Sequence, residues 1–167
     1  MNGLSKLGGG ALVLALAVIA LDQAVKHWVL STLHLPELAS VPVAGPLRLT
    51  MVWNEGVSFG FFRAQHDLMR WLLAAFSILT AAVLIGWVRR ATRPLFALSL
   101  GLVIGGAIGN VIDRIRFGAV VNFVDVTRLW FPWVFNIADA AISVGIACLL
   151  LDMLLQDRAE KAAKQPV

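Results

Sequence analysis

The chain has 167 residues, of which 59% are hydrophobic and only 14% are charged, and its mean hydropathy is +0.82. Soluble domains carry about 25% charged residues, so this composition excludes an ordinary soluble enzyme and indicates a membrane protein of one domain, residues 1–167. The net charge of +4 is modest, and we attribute it to basic cytoplasmic loops rather than to nucleic-acid binding. Cys148 is the lone cysteine, so no intramolecular disulfide can form.

Hydropathy predicts four membrane-spanning helices, because a hydrocarbon core of about 30 Å needs about 20 apolar residues per helix. We place them at about residues 7–30, 68–88, 94–112 and 134–155. The first apolar run is long for a signal peptide, and three more spans follow it, so we expect it to be retained. The fold class is therefore an all-α membrane protein.

Basic residues predict how the chain is oriented in the membrane. Arg89, Arg90 and Arg93 crowd the short link between the second and third spans, so the positive-inside rule places this link and both termini in the cytoplasm. Two segments, about 31–67 and 113–133, then lie on the periplasmic side. The three histidines of the chain show no metal-ligand spacing, and we expect neither a metal nor a cofactor.

The first periplasmic segment contains a pattern that is typical of a strand. Apolar Leu47, Leu49 and Met51 alternate with the residues between them, which gives a period of two. Asn54-Glu55-Gly56 follows as a turn signal. We predict two or three short strands on the membrane surface, and the alternative is an amphipathic interfacial loop.

The third span combines three glycines with three polar residues at its periplasmic end. Glycines spaced by four share one helix face and let helix backbones approach closely. Polar residues at i, i+3 and i+4 also share a face, which favours a site, although a plain interfacial anchor is the alternative. The glycines are Gly101, Gly105 and Gly109, and the polar residues are Asn110, Asp113 and Arg114.

The first and fourth spans bring further polar residues to the same depth. Asn136 and Asp139 share a face at the start of the fourth span, and an ionisable group inside a span indicates a functional site by default. The alternative is a structural Asp139 paired with Lys26 or Arg114. For Asp22 and Lys26, four residues apart, we predict a local ion pair with Lys26 extending outward to the interface.

Together these segments resemble the lipoprotein signal peptidases, the type II signal peptidases of bacteria. The resemblance covers nearly the whole chain, and its motifs follow the order of that family. The motifs are Leu21-Asp22-Gln23-x-x-Lys26, Asn54-x-Gly56, Gly105-Gly106-Ala107-Ile108-Gly109-Asn110-x-x-Asp113-Arg114, Gly118-Ala119-Val120-Val121 and Phe135-Asn136-Ile137-Ala138-Asp139.

The resemblance implies an aspartic intramembrane protease of the bacterial inner membrane, which removes the signal peptide of a prolipoprotein just before its diacylglyceryl-modified cysteine. It also implies a small periplasmic β-cradle over four transmembrane helices, an active site at the periplasmic face, contact with membrane lipids and inhibition by globomycin-type peptides. Asp139 matches one catalytic aspartate. The residues expected to orient the substrate or support the site are Asp22, Lys26, Asn54, Gly56, Asn110, Asp113, Arg114 and Asn136.

The second catalytic aspartate of the family is replaced in this chain. The family has Val-Val-Asp-Phe, whereas the sequence here is Val120-Val121-Asn122-Phe123. Asparagine cannot act as a general base at ordinary pH, so three explanations stay open: an inactivating substitution, takeover by Asp125, or tolerance of Asn122 in another way. If 120–125 is a strand, residues 122 and 125 face opposite ways, which argues against takeover.

Two other functions remain as hypotheses. A non-catalytic membrane binder of lipidated peptides, a pseudoenzyme, would share every feature except proton transfer. A small transporter or channel would use the same buried polar groups, but the charged residues gather at one interface instead of lining a path across the membrane.

Overall fold

The computed structural model describes residues 4–56, 63–129 and 131–163. Four of its helices are long and apolar enough to cross a membrane, so the prediction of four spans is confirmed. The helices are α1 Lys6–His27, which continues as a π-helical turn over Trp28–Thr32, the short α2 Leu35–Leu38, α3 Arg63–Val88, α4 Pro94–Phe117 and α5 Ile137–Ala163.

Two helix boundaries differ from those expected from hydropathy. Helix α4 continues beyond residue 112 to Phe117, so Asp113 and Arg114 lie in its last turns and not in the following segment. It ends where Gly118 adopts a left-handed conformation with φ of +84° and donates its backbone N–H to the Arg114 carbonyl. Helix α5 begins at Ile137 instead of 134, because residues 134–135 pair as a strand.

Four antiparallel strands form one sheet in the order β1-β2-β3-β4. Strand β2 places Val52 opposite Asn122 and Arg48 opposite Asp125, with an irregularity in register between these pairs. The strand expected from the alternation at 47–52 is confirmed, while residues 57–62 of the same segment lie outside the described residues. The strands are β1 Ser40–Ala44, β2 Leu47–Asn54, β3 Val120–Asp125 and β4 Val134–Phe135.

Helix α4 is the central helix of the bundle. About two thirds of its spanning window is buried inside the protein, compared with less than a third for each of the other three spans. Its apolar residues Leu100 and Ile104 pack with Ala11 and Ala15 of α1 and with Val88 at the end of α3. The outward faces of the other helices are apolar and exposed, as expected for helices that face lipid.

The glycines of α4 allow this close packing, as predicted. A Cβ added to Gly101 would lie 2.6 Å from the Ala11 carbonyl oxygen, and one on Gly105 would lie 2.7 Å from the Val18 Cβ. On the other side, a Cβ on Gly106 would collide with the Ala138 carbonyl oxygen of α5. Because α1 and α5 both touch the α4 backbone, their polar end residues meet around the end of α4.

A second apolar cluster fixes the sheet to the bundle. Val121 and Phe123 of β3 pack with Val29, at the end of the first span, and with Leu35 of α2. All four side chains are buried. Strand β3 therefore lies across the ends of α1 and α4, which we call the sheet end of the bundle, and it brings residue 122 toward the start of α5.

Candidate active site

Three charged side chains form a buried cluster between α1 and α4 at the sheet end, and we call it the buried ion cluster. The Lys26 Nζ lies 2.7 Å from the Asp22 Oδ2 and 2.6 Å from the Asp113 Oδ2. The two aspartates are fully buried, and Lys26 is only 2% exposed. The local ion pair of Asp22 with Lys26 is present, but the expectation that Lys26 extends outward is wrong, because Asp113 of α4 holds its ammonium group inside the bundle.

The buried ion cluster also binds two backbone N–H groups. The Val121 N–H of β3 donates to the Asp113 Oδ2 at 3.0 Å, and the Ala138 N–H of α5 donates to the Asp22 Oδ1 at 3.0 Å. Hydrogen bonds to a carboxylate are the stronger kind in proteins. The cluster thus joins α1, α4, β3 and α5 at one point.

Asn110 connects the buried ion cluster to Asp139. Its Oδ1 accepts from the Lys26 Nζ at 3.4 Å, and its Nδ2 donates to the Asp139 Oδ1 at 2.7 Å. Because an ammonium group can only donate, this arrangement fixes the orientation of the Asn110 amide. Asn110 therefore presents an N–H donor to Asp139, which is the arrangement that a carboxylate requires.

Asn136 lies between Asp139 and Asn122 and bonds to both. Its Oδ1 accepts the Asp139 backbone N–H at 2.8 Å, and its own backbone N–H lies 3.4 Å from the Asp139 Oδ2. On its other side, the Asn136 Nδ2 donates to the Asn122 Oδ1 at 2.9 Å. One side chain thus holds the two predicted catalytic positions next to each other.

Asn122 and Asp139 line the same cavity, of about 570 Å³. The Asn122 Nδ2 also donates to the Val134 carbonyl oxygen at 2.9 Å, so its amide nitrogen and oxygen both have partners. The remaining lining is mostly apolar and comes from the end of β2, the segment between β3 and β4, β4 itself and the first turns of α5. It comprises Asn54, Val126, Phe131, Trp133, Val134, Phe135, Ala140, Ser143 and Val144.

Asp125 belongs to a separate group of polar side chains on the sheet. Its Oδ1 accepts from the Thr127 backbone N–H at 2.9 Å and from the Thr127 hydroxyl at 2.6 Å, and its Oδ2 accepts from the Thr50 hydroxyl at 2.6 Å. These hydroxyl donors hold the pKa of Asp125 below its usual range. Residues 120–125 form a strand, so Asp125 and Asn122 point to opposite faces, and Asp125 is not among the residues that line the cavity.

The other predicted residues lie around the same end of the bundle. Asn54 lines the cavity, and its Oδ1 accepts the Gly56 N–H at 2.9 Å, which closes a tight turn. Gly56 has φ of +105°, a conformation that favours glycine. The half-buried Arg114 interacts electrostatically with Asp139 and Asp113.

Two residues were not predicted as site residues. The Gln23 Nε2 donates to the Asp113 Oδ1 at 3.0 Å and to the Gly109 carbonyl at 3.2 Å, and its place between Asp22 and Lys26 was a signal that could have found it. The Arg70 guanidinium of α3 donates to the Arg114 carbonyl at 2.6 Å and to the Ile115 carbonyl at 2.9 Å. It caps the end of α4, a role with no sequence signal because the partner is backbone.

Residues 4–56, 63–129 and 131–163 contain no group of three or more His, Cys, Asp or Glu side chains arranged to hold a metal ion. The arrangement that they do contain is a cavity lined by the Asp139 carboxylate and the Asn122 amide, with a buried network of donors behind both. The Asp139 carboxylate in this setting can accept a proton from water.

Comparisons with known proteins agree over almost the entire chain. The signal peptidase (SPase) II family matches residues 14–155. A lipoprotein signal peptidase from Caulobacter vibrioides is 53% identical over 155 residues, which cover 92% of this chain and 92% of the relative. A lipoprotein signal peptidase from Methylobacterium sp. is 43% identical over 156 residues, which cover 93% of this chain and 94% of the relative.

A solved bacterial membrane enzyme has the same fold. It matches 100% of this chain and 99% of its own with a TM-score of 0.78, although the sequences are only 24% identical. The four apolar helices make this chain a multi-pass membrane protein. Its sequence, from the first span to the last, identifies it as a member of the signal peptidase II family of aspartic endopeptidases.

Proposed function

We propose that this chain removes the signal peptide from prolipoproteins that carry a diacylglyceryl-modified cysteine, with Asp139 as the catalytic carboxylate. The observation that carries the proposal is the position of Asn136, which bonds to Asn122 on one side and to Asp139 on the other where both line one cavity. The relatives named lipoprotein signal peptidase support the substrate class.

In this proposal Asp139 is the general base. The Asn110 Nδ2 and the Asn136 N–H both donate toward its carboxylate oxygens, so the acceptor form of Asp139 is the one that fits. A water in the cavity would lose a proton to Asp139 and attack the scissile carbonyl carbon. A second, protonated group must then polarise the carbonyl oxygen and protonate the leaving amine.

We propose residue 122 as the position of that second group, where an asparagine side chain has no acidic proton to donate. In an aspartic pair one carboxyl stays neutral, because two close negative charges cannot both form comfortably. Asn122 has nearly the same shape and is neutral, so it preserves the architecture, but it cannot give up a proton. We expect the chemical step to be slower by about 10²–10⁴-fold than with aspartate, the usual contribution of one general acid or base.

Asp125 does not take over this role in the proposed mechanism. Its two oxygens already accept hydrogen bonds from Thr50 and Thr127. A residue on the opposite face of β3 would reach the cavity only if the strand rotated, which would break the pairing of Arg48 with Asp125 in the sheet.

The mostly apolar cavity suits a signal peptide that arrives from the membrane. Phe131 and Trp133 are exposed aromatic side chains at the lining, and aromatic residues are enriched where proteins meet the membrane interface. We propose that both termini are cytoplasmic, that the sheet end faces the periplasm across the bacterial inner membrane, and that lipids and globomycin-type inhibitors reach the same cavity.

The test is cleavage of a lipidated precursor by the purified chain and by Asn122→Asp, with Asp125→Asn introduced into each. We expect slow or undetectable cleavage by the unaltered chain, a gain of about 10²-fold or more with Asn122→Asp, and little effect of Asp125→Asn. Strong cleavage by the unaltered chain that is lost on Asp125→Asn would show that Asp125 is catalytic and would overturn this assignment.

A non-catalytic binder of lipidated peptides is the second candidate, because the Asn122 amide has hydrogen-bond partners at both its nitrogen and its oxygen. If the unaltered chain and the Asn122→Asp variant both bind the lipidated precursor but the variant does not cleave it, the binding function is favoured over the peptidase.

A further inference from the structure

We infer that Asp22 and Asp113, bridged by Lys26, are positioning residues that set the separation of residues 122 and 139. The inference rests on the proposed function, since it assumes that catalysis depends on these two positions. The inference concerns the backbone that carries the side chains of residues 122 and 139. It assigns the buried ion cluster no contact with substrate.

Each aspartate of the buried ion cluster holds the backbone next to one catalytic position. Asp113 accepts the N–H of Val121, which directly precedes Asn122, and Asp22 accepts the N–H of Ala138, which directly precedes Asp139. Both distances are 3.0 Å. We call these two hydrogen bonds the backbone anchors. One lies next to Asn122 and the other lies next to Asp139.

Lys26 fixes the distance between the two anchors. One ammonium nitrogen lies within 2.7 Å of a carboxylate oxygen of each aspartate. Because both aspartates are fully buried, their mutual repulsion is only weakly screened, and an opposite charge between them is required. The path from Val121 to Ala138 thus runs through Asp113, Lys26 and Asp22, and it crosses from α4 to α1.

A second ion pair at the other end of the bundle provides a matched control. The Arg93 guanidinium lies 2.6 Å from the Asp152 Oδ2, and Asp152 is 4% exposed. This pair joins the residue that precedes α4 to α5, and it lies at the opposite end of the bundle from residues 122 and 139. Breaking it removes the ion pair of a buried carboxylate with an exposed guanidinium, without touching the backbone of the site.

The kinetic test uses the Asn122→Asp protein, with Asp22→Ala, Asp22→Asn, Asp113→Ala or Asp152→Asn added. We expect the two alanine variants to lower kcat by about 10²-fold, as a misplacement near 1 Å does, while KM changes little. Asp22→Asn keeps one oxygen acceptor for the Ala138 N–H but turns an NH2 group toward the Lys26 ammonium, so it should recover only part of the lost kcat. Asp152→Asn should lower Tm and leave kcat unchanged. Equal losses of kcat in Asp22→Ala and Asp152→Asn would overturn the inference.

A second readout does not depend on activity. In the unaltered chain, Asp113→Ala should speed amide hydrogen exchange at Val121, and Asp22→Ala should speed it at Ala138, with little change elsewhere. Exchange that rises evenly along all helices, or not at all at these two amides, would contradict the inference. If these amides respond as expected while Asn122→Asp fails to cleave, the two aspartates still hold the backbone beside residues 122 and 139, and it is the proposed peptidase function that fails.

Discussion

Two networks built around aspartates lie at the sheet end, and they differ in what they connect. The buried ion cluster joins Asp22 of α1 to Asp113 of α4 and reaches β3 and α5 through backbone N–H groups. The other, which we call the strand network, joins neighbouring strands. It comprises Asp125, Thr50, Thr127, Ser40 and Arg48.

The difference shows that a carboxylate close in sequence to residue 122 need not lie where it could replace that residue in the cavity. Asp125 is three residues from Asn122, yet its hydrogen bonds all remain within the sheet and its connecting segment. Asp22 is far from residue 139 in sequence, yet it binds the adjacent backbone N–H. Function follows the contacts of the folded chain, and the following three predictions test that contrast.

The largest expected effect is on catalysis. In the Asn122→Asp protein, Asp139→Asn should lower cleavage of a lipidated precursor by at least about 10²–10⁴-fold, because it removes the general base. Asp125→Asn should change the rate by less than about threefold, because Asp125 lies outside the cavity. Equal losses in the two variants would remove the distinction between the networks.

The next effect is on stability. Lys26→Met should lower the free energy of unfolding by about 3–5 kcal/mol, because it leaves two buried carboxylates without a cation. Arg48→Met in the strand network should cost less than about 1 kcal/mol, since Arg48 is partly exposed and donates to the neutral Ser40 hydroxyl. Unfolding in detergent, followed by tryptophan fluorescence, measures both, and similar costs would contradict the contrast.

The smallest effect concerns acid. Because the pKa of Asp125 is held below its usual range by the Thr127 and Thr50 hydroxyls, its stabilising contribution is fully present above the unfolded value of about 3.9 and is lost as pH falls through the lower folded value. Asp125→Asn should therefore reduce Tm modestly at neutral pH, corresponding to about 1 kcal/mol, with the difference shrinking below pH of about 4. A difference in Tm between the two proteins that grows on acidification would contradict this prediction.

Much of the fold was predictable because its causes are local. The four spans follow from runs of apolar residues, and β2 follows from the alternation of Leu47, Leu49 and Met51. The close packing of α4 follows from glycines spaced by four. Asn110 of α4 and Asp139 of α5 are in contact, as their expected position at the same depth in the membrane indicated.

The inward direction of Lys26 was not predictable, because it depends on a partner from another helix. A lysine near the end of a span ordinarily extends to the interface, and only the packing of α4 against α1 brings Asp113 within reach. The start of α5 was misplaced for the same reason, since Val134 and Phe135 pair with β3, a strand that lies earlier in the chain. Contacts between distant segments decided both outcomes.

Strand β4 has a mechanical consequence for the enzyme. It is a two-residue edge strand, and Asn136 alone separates it from α5. Separation of β4 from β3 would break the hydrogen bond from Asn122 to the Val134 carbonyl. The same movement would displace Asn136, which accepts the Asp139 backbone N–H. Strand β4, Asn136 and the start of α5 are thus one short stretch of polypeptide, so a displacement of this edge of the sheet would be transmitted directly to Asn122 and Asp139.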